Sequence, residues 1–315
     1  MSVFIEQFLQ TLIAGLLVGS VYGLMCVGLA FIFGIMRVIN FAQGDFMMVG
    51  MYLSIFIVVN LITTTWFGPV APFLAALATA PVMFAAGYAL HRFLIARTTG
   101  MQGIAELEAH QAQLVLTLGV ALILQNGALI LLGSAPVSTI TPLSAAAWEI
   151  PLLYDDLATV FLNQARTIDA VIAIVIALAF FRMMGHTRLG KVLRGAADNP
   201  EAALYTGIDV DRAHRIAFGL GTAIAGVAGG LIILYYPVQP FVGIDFIIIM
   251  YAGVVLGGMG SVIGAFWGGM TIGLVQQLAT LVLPVQLQNA AVFVVFLMLL
   301  LFRPQGFFGR STERA

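Results

Sequence analysis

The sequence predicts an all-α integral membrane protein, a polytopic bundle of about eight to nine transmembrane helices with glycine-rich packing. Of its 315 residues, 61% are hydrophobic and only 9% are charged, whereas in soluble domains about a quarter of the residues are charged. Apolar runs near the ~20 residues that a span requires recur along the whole chain. Unpaired backbone groups are too costly in lipid, so such spans are helical. We therefore treat residues 1–315 as a single transmembrane domain.

Nine apolar segments are predicted to cross the membrane. They cover residues 9–34, 41–62, 69–90, 113–133, 167–184, 216–236, 244–257, 262–283 and 288–302. The seventh and ninth are short, and Gly257-Gly258 interrupts the seventh, so a tilted, broken or re-entrant segment and a count of eight stay open. The first ten residues carry Glu6 and no Lys or Arg. They lack the basic region of a signal peptide, and the first span is expected to be retained.

The basic residues predict the orientation. Six of the thirteen lie in or beside the polar segment 185–215, which the positive-inside rule places in the cytoplasm. These six are Arg182, Arg188, Lys191, Arg194, Arg212 and Arg215. Alternation of nine spans brings six more to the inner side, namely Arg37, Arg92, Arg97, Arg303, Arg310 and Arg314. Only Arg166 falls outside, so we expect an external N-terminus and a cytoplasmic C-terminus.

The longest predicted external segment is 134–165. Its turn-forming, aromatic and acidic residues include Pro136, Pro142, Pro151, Trp148, Tyr154, Asp155 and Asp156. Two interpretations stay open, an interfacial linker with an aromatic anchor and a docking surface for an external partner.

Glycine residues recur at a spacing of four. The triplets and pairs are Gly15, Gly19 and Gly23, then Gly260, Gly264 and Gly268, with Gly253–Gly257 and Gly269–Gly273. Small residues at this spacing let helices approach closely in lipid. The pattern predicts a tightly packed core, formed either within the chain or with a second subunit.

Asn40, Gln43 and Asp45 form a polar group at the start of the second predicted span. A carboxylate at membrane depth is expensive and suggests a functional site, here the lining of a translocation path. The alternative is that Asp45 lies near the inner interface and pairs with Arg37. A continuous helix separates those two residues by about 12 Å, so pairing requires a break, for which Gly44 is a candidate.

Gln125 and Asn126 form a second polar pair, in the middle of the fourth predicted span. They are candidates either for hydrogen bonds between helices or for the same translocation path.

Within the cytoplasmic segment, the residues around position 200 predict a short helix with defined ends. Asn199 can cap it, Pro200 suits its first position and Gly207 can close it. A short, well-stopped helix between two spans suits a mechanical contact with a cytoplasmic partner.

Composition and motifs exclude several classes of function. The net charge of −1 gives no basic footprint for nucleic acid. Cys26 is the single cysteine and the four histidines are scattered, so neither a disulfide nor a metal site is expected. The chain lacks a P-loop, an HExxH and a GxSxG motif. No catalytic residue or cofactor is therefore expected, and another chain would bind ATP.

Glu201-Ala202-Ala203, followed by three residues and Gly207, resembles the first half of the EAA loop of ABC importer permeases. In that family the loop forms a coupling helix that docks into a groove on the ATPase subunit. The resemblance implies a coupling role for Arg194, Asp198, Asn199, Glu201, Ala202, Ala203 and Gly207. Ala202, Ala203 and Leu204 are the apolar residues expected to enter the groove. The second half of the usual signature, Ile-x-Leu-Pro, is absent, which points away from permeases for metals, phosphate and sugars.

Over nearly its whole length, the chain resembles the LivH-type permeases of branched-chain amino-acid ABC importers. The matching stretches are 28–35, VINFAQGDFM at 38–47, LQN at 124–126, 190–207, LGGMGS at 256–261 and RPQGFFGR at 303–310. The resemblance implies an inner-membrane permease subunit with a second, LivM-like permease, two cytoplasmic ATPases and an external solute-binding protein as partners. Urea, amide and other amino-acid permeases share these motifs, so the substrate stays open.

Two rival classes are weighed against this interpretation. An ion-coupled secondary transporter requires several ionisable residues within the membrane that relay the ion, and Asp45 alone does not form such a relay. A membrane-embedded enzyme requires a nucleophile beside a base, and the sequence contains no such arrangement.

Overall fold

A computed structural model describes residues 2–60, 68–99, 106–151, 159–303 and 305–309. Five residues named above lie outside this described part: Tyr154, Asp155, Asp156, Arg310 and Arg314.

Helices make up most of the described chain. In chain order they are α1 Ser2–Met36, α2 Gln43–Asn60, α3 Ala71–Leu90, α4 Ala96–Thr99, α5 Glu106–Leu132, α6 Pro142–Ala145, α7 Gln164–His186, α8 Arg188–Asp198, α9 Pro200–Tyr205, α10 Val210–Ile232, α11 Val242–Gly257, α12 Val262–Ala279 and α13 Gln288–Phe302. A π-helical turn, His91–Ile95, joins α3 to α4. An antiparallel hairpin of β1 Ala147–Pro151 and β2 Thr159–Asn163 precedes α7.

Nine apolar helices within the described residues correspond to the nine predicted spans. Six are long and apolar enough to cross a membrane: α1, α3, α5, α7, α10 and α12. The other three, α2, α11 and α13, are shorter apolar helices. The all-α membrane class is thus confirmed. The main differences lie at the ends, because α1 begins at Ser2 and α5 begins at Glu106.

One end of the bundle carries the start of α1 and the β-hairpin. The Gln10 amide donates to the Phe161 carbonyl oxygen at 2.6 Å and accepts from the Phe161 N–H at 2.9 Å. At the same end, an isolated bridge pairs Val137 with Val238, in the turn between α10 and α11. The predicted external segment therefore gathers beside the N-terminal part of the chain.

The opposite end carries the last turns of α1, α7 and α11. The Phe31 and Phe180 rings meet edge to face, with centroids 4.8 Å apart. The Phe307 N–H donates to the Leu256 carbonyl oxygen at 2.8 Å, which fastens the tail to the end of α11. The predicted cytoplasmic segment 185–215 follows α7 and lies at this end.

The same packing pattern occurs twice in the bundle. Helix α1 packs along α12, and α10 packs along α3. Likewise α2 packs against α10, and α11 packs against α1. The exchange of partners between α1–α3 and α10–α12 is what an internal two-fold repeat produces.

Two reciprocal glycine contacts lie where the repeats cross. A Cβ added at Gly28 would lie 2.8 Å from the Gly221 carbonyl oxygen, and one added at Gly221 would lie 2.7 Å from that of Gly28. Gly44 in α2 and Gly243 in α11 meet backbone to backbone in the same manner. Neither pair of glycines leaves room for a Cβ, and the two repeats come into backbone contact at both crossings, with Ile32 beside Gly221 and Asp45 beside Gly243.

Most of the glycine spacing predicted as packing is used within the chain. A Cβ at Gly19 would lie 2.7 Å from the Met270 carbonyl oxygen in α12, and Gly264 and Gly268 contact the backbone of α11. The prediction is wrong for Gly260. That residue has φ 92° and nothing within 4 Å of an added Cβ, so it forms the turn after α11 and does not lie on the packing face of a helix.

Candidate functional site

The polar group predicted at the second span forms a closed elbow between α1 and α2. Arg37, directly after the last residue of α1, has φ 55° and turns the chain, and α2 begins at Gln43. The Asn40 side chain accepts from the Ala42 N–H at 3.1 Å and donates to the Gln43 side-chain oxygen at 3.0 Å. This internal bonding fixes the direction in which α2 leaves the elbow.

Gln43 and Asp45 tie the elbow to two other helices. The Gln43 amide donates to the Gly221 carbonyl oxygen in α10 at 3.0 Å. The Gln125 amide, from α5, donates to Asp45 Oδ1 at 3.0 Å. Asn40, Gln43, Asp45 and Gln125 are all buried. The structure therefore brings four of the five residues proposed for the translocation path into one hydrogen-bonded cluster.

Asn126 is not part of this cluster. It is exposed on another face of α5, and its amide donates to the Leu122 carbonyl oxygen of its own helix at 2.8 Å. Adjacent residues on a helix point in different directions, so Gln125 and Asn126 cannot both face α2.

The alternative pairing of Asp45 with Arg37 does not occur, because within the described residues the one ion pair joins Arg215 to Asp209. Gly44 does not break the helix either. The break lies earlier, at Arg37, and Gly44 instead brings the first turn of α2 against Gly243.

An apolar cavity of about 260 Å³ lies beside the elbow. Its lining includes Leu29, Phe33, Phe41, Tyr251, Val254 and Met259. The Phe41 and Tyr251 rings lie 5.6 Å apart, and the Tyr251 hydroxyl has no hydrogen-bond partner in the described part of the chain. The arrangement places an apolar space next to a buried polar cluster at the contact between the two repeats.

The segment predicted to be cytoplasmic folds as two short helices, with the cap, first residue and stop expected from the sequence. The Asn199 side chain accepts from the Ala202 N–H at 2.9 Å, and Pro200 occupies the first position of α9. Gly207 has φ 81°, and the Ile208 N–H donates to the Ala203 carbonyl oxygen at 2.9 Å. The predicted cap, first residue and glycine stop of this helix are confirmed.

Two of the three residues predicted for the exposed face of α9 are exposed, and Tyr205 is exposed beside them. Ala202, Leu204 and Tyr205 are exposed, with Leu204 at 61% and Tyr205 at 91%. Ala203 is only 5% exposed and faces inward, so it cannot enter a groove on a partner. Packing of α9 against the neighbouring helices decides which of its side chains point inward.

The charged residues of this segment have different environments. Asp198 and Glu201 are exposed. The Arg194 guanidinium donates to the Gly185 carbonyl oxygen of the preceding helix at 3.2 Å and to the Gly190 carbonyl oxygen of its own helix at 3.4 Å. Arg194 thus satisfies carbonyl groups at the α7–α8 junction.

Asp169 was not among the sequence-predicted site residues. It lies in α7 with no exposed surface, and neither carboxylate oxygen has a hydrogen-bond partner within the described residues. The available signal was an aspartate inside the apolar run IDAVIAIV, since an ionisable residue at membrane depth suggests function.

Across the described residues, no group of three His, Cys, Asp or Glu side chains is placed to hold a metal ion.

Comparisons with known proteins agree with this architecture. A family described as branched-chain amino acid transport system / permease component matches residues 11–302. The high-affinity branched-chain amino acid transport system permease protein LivH of Salmonella typhimurium is 30% identical over 311 residues, which cover 96% of each chain. The corresponding BraD protein of Pseudomonas aeruginosa is 28% identical over 311 residues and 97% of each chain. No solved structure matches. The chain therefore belongs to the family of permease components of branched-chain amino acid transport systems.

Proposed function

We propose that this chain, as one transmembrane domain, carries branched-chain amino acids inward as part of an ABC importer. As a family member it is a multi-pass transport subunit of the inner membrane, with no enzymatic reaction of its own, and it works with ATPase and binding-protein partners. The proposal adds a second, LivM-like permease, two ATPases at the 185–215 end and a solute-binding protein at the opposite end.

The observation that carries the proposal is the outer face of α9. A six-residue helix with a side-chain cap, a proline start and a left-handed glycine stop has little freedom to bend. It nevertheless exposes Leu204 and Tyr205, two large side chains with apolar surface. A rigid apolar projection of this kind fits a groove on a cytoplasmic subunit, and the resemblance to the EAA loop identifies that subunit as the ATPase.

The charge distribution supports the orientation. One end of the bundle carries residues 185–215, Arg37 and the start of the tail. Ten of the eleven Lys and Arg residues that the structure describes lie at this end. Arg166 lies at the other end, beside the hairpin. The positive-inside rule then assigns the basic end to the cytoplasm and the N-terminus to the outside.

The first experiment substitutes the exposed face of α9. Each apolar side chain buried in the ATPase groove contributes about 2 kcal/mol, so Leu204→Glu is expected to weaken ATPase binding by roughly 30-fold. Leu204→Met and Tyr205→Phe keep the apolar surface and serve as matched controls. The measurement is the amount of ATPase retained on the purified permease, together with ATP-driven leucine uptake into proteoliposomes.

Retention of the ATPases and normal uptake by Leu204→Glu would place the contact elsewhere. Uptake that persists without ATP while an ion gradient is maintained would favour an ion-coupled transporter instead. A wild-type complex that takes up urea or an amide and not leucine would refute the proposed substrate class.

A further inference from the structure

Arg166 and Asp169 lie one turn apart in α7, near the end that carries the hairpin. Helix α7 lies between the two repeats in sequence and belongs to neither α1–α3 nor α10–α12. Arg166 is also the one basic residue that the orientation places outside. A cation on the side where cations are rare, one turn from a carboxylate at membrane depth, calls for a physical reason.

The carboxylate of Asp169 is buried and uncompensated. It has no exposed surface, and no group in the described part of the chain bonds to either oxygen. Buried polar groups are almost always hydrogen-bonded in folded proteins. The elbow cluster follows that rule, since the Asp45 carboxylate accepts from Gln125. Asp169 therefore differs from Asp45, because no donor among the described residues bonds to its carboxylate.

Arg166 does not neutralise Asp169. Its guanidinium lies over the Tyr235 ring, 5.1 Å from the centroid, and the described ion pair of the chain is elsewhere. Tyr235 is within electrostatic range of both Asp169 and Arg166. A cation and an anion therefore flank one tyrosine, and neither has a counter-ion among the described residues.

Aromatic rings line the same region. The Tyr236 and Phe246 rings lie 5.0 Å apart, and Tyr22 meets Phe246 at 6.0 Å, both edge to face. Arg166, Tyr235 and Tyr236 are partly accessible, whereas Asp169 beneath them is fully covered. The group thus has an accessible cationic rim, an aromatic wall and a buried anion.

We propose that Arg166 and Asp169 form a site for the zwitterionic backbone of an amino acid, with the guanidinium binding the α-carboxylate and Asp169 binding the α-ammonium. The Cβ atoms of residues three apart on a helix lie about 5–6 Å from each other. An α-amino acid can bridge two such side chains because its ammonium and carboxylate groups are attached to the same carbon. The aromatic rings contact the substrate side chain. The site is occluded in this structure, and it opens when α7 and the Tyr235 turn separate. This inference rests on the proposed function.

The test uses the complete importer in proteoliposomes with saturating leucine-loaded binding protein. Asp169→Asn keeps the shape of the side chain and removes its charge, and Arg166→Gln removes the cation and leaves a shorter polar side chain. Both are expected to lower ATP-driven leucine uptake tenfold or more at normal complex yield. The matched controls are Asp211→Asn, an exposed aspartate in the first turn of α10, and Arg92→Gln, which also lies over a ring, that of Phe93.

A second measurement separates a binding role from a structural one. The importer without binding protein is assayed for radiolabelled leucine displaced by 4-methylpentanoate, which lacks the ammonium, and by 3-methylbutylamine, which lacks the carboxylate. The wild type is expected to prefer leucine at least tenfold over both. Asp169→Asn should lose the discrimination against 4-methylpentanoate only, and Arg166→Gln that against 3-methylbutylamine only.

Wild-type uptake with normal uptake in Asp169→Asn would overturn the zwitterion site and leave the importer function standing. Reduced uptake with discrimination intact would overturn it too, because it would show a structural role. Should Asp169→Asn assemble poorly, the displacement pattern of Arg166→Gln decides the question. A wild-type complex that takes up no leucine refutes the proposed function and this inference together.

Discussion

Gly19 in α1 offers the sharpest test of how the bundle is packed. A Cβ at this position would lie 2.7 Å from the Met270 carbonyl oxygen of α12, where ordinary contact begins at 3.4 Å. Gly19→Ala therefore requires the two helices to separate by about 0.7 Å or to distort locally, since backbone cannot rotate away as a side chain can. Overpacking of this kind costs about 1–3 kcal/mol.

Gly127 in α5 is the matched control, because nothing lies within 4 Å of an added Cβ there. Gly127→Ala gains up to about 1 kcal/mol of helix propensity. Gly19→Ala makes the same gain, so the two alanine variants are expected to differ by the overpacking cost alone, about 1–3 kcal/mol, which corresponds to melting temperatures roughly 2–10 °C apart. Thermal unfolding of the purified permease measures the difference. Equal melting temperatures would show that α1 and α12 are not in backbone contact.

Three further predictions concern the elbow, the coupling segment and the orientation. Asp45→Asn keeps the shape of the elbow and should lower transport at normal yield, whereas Gln125→Leu leaves a buried carboxylate unpartnered and should lower stability by about 1–3 kcal/mol; unchanged transport in Asp45→Asn would reduce that residue to a structural role. An alanine at Gly207 would meet no atom but would have to keep φ 81°. Gly207→Ala should therefore cost about 1 kcal/mol of stability and weaken the stimulation of ATP hydrolysis by loaded binding protein. Gly207→Asn should partly restore that stimulation. Single cysteines at exposed Ala145 and Tyr205, placed after the native cysteine is replaced, should react with an impermeant thiol reagent from opposite sides of the membrane, and labelling of both from outside would contradict the orientation.

The sequence predicted the features that depend on local physics. Hydropathy located nine helices because each apolar run must satisfy its own backbone in lipid. The α9 cap was predictable since Asn199, Pro200 and Gly207 act within one or two turns. The inward position of Ala203 was not predictable, because it depends on which face of α9 packs against the bundle. The prediction for Gly260 was wrong for a similar reason, because a glycine spacing of four residues does not distinguish the packing face of a helix from a turn.

The internal repeat escaped the sequence analysis because its two halves share few identical residues. Phe41, Asp45 and Phe46 recur 200 positions later as Phe241, Asp245 and Phe246; the phenylalanines at 41 and 241 precede α2 and α11, and the other residues lie near the starts of these helices. The matching environments differ, since Asp45 is buried against α5 whereas Asp245 is exposed. The repeat becomes evident through the exchanged helix packing and the reciprocal glycine contacts, which join residues far apart in the chain.

The packing of α8 suggests how a force applied at α9 would reach the middle of the membrane. Helix α8 contacts α7, α1 and α10, and its inward residues Leu193 and Ala196 are buried. A push on the exposed face of α9 therefore passes through α8 to the end of α7, while the repeats, joined by glycine backbones, resist compression. The other end of α7 carries Arg166 and Asp169, which lie about 25–30 Å from His186 along the helix. Tilting α7 as a rigid rod would move those two residues relative to Tyr235 and leave the hydrogen-bonded elbow intact. ATP-driven motion would then open the occluded site without breaking the buried polar cluster that holds the two repeats together.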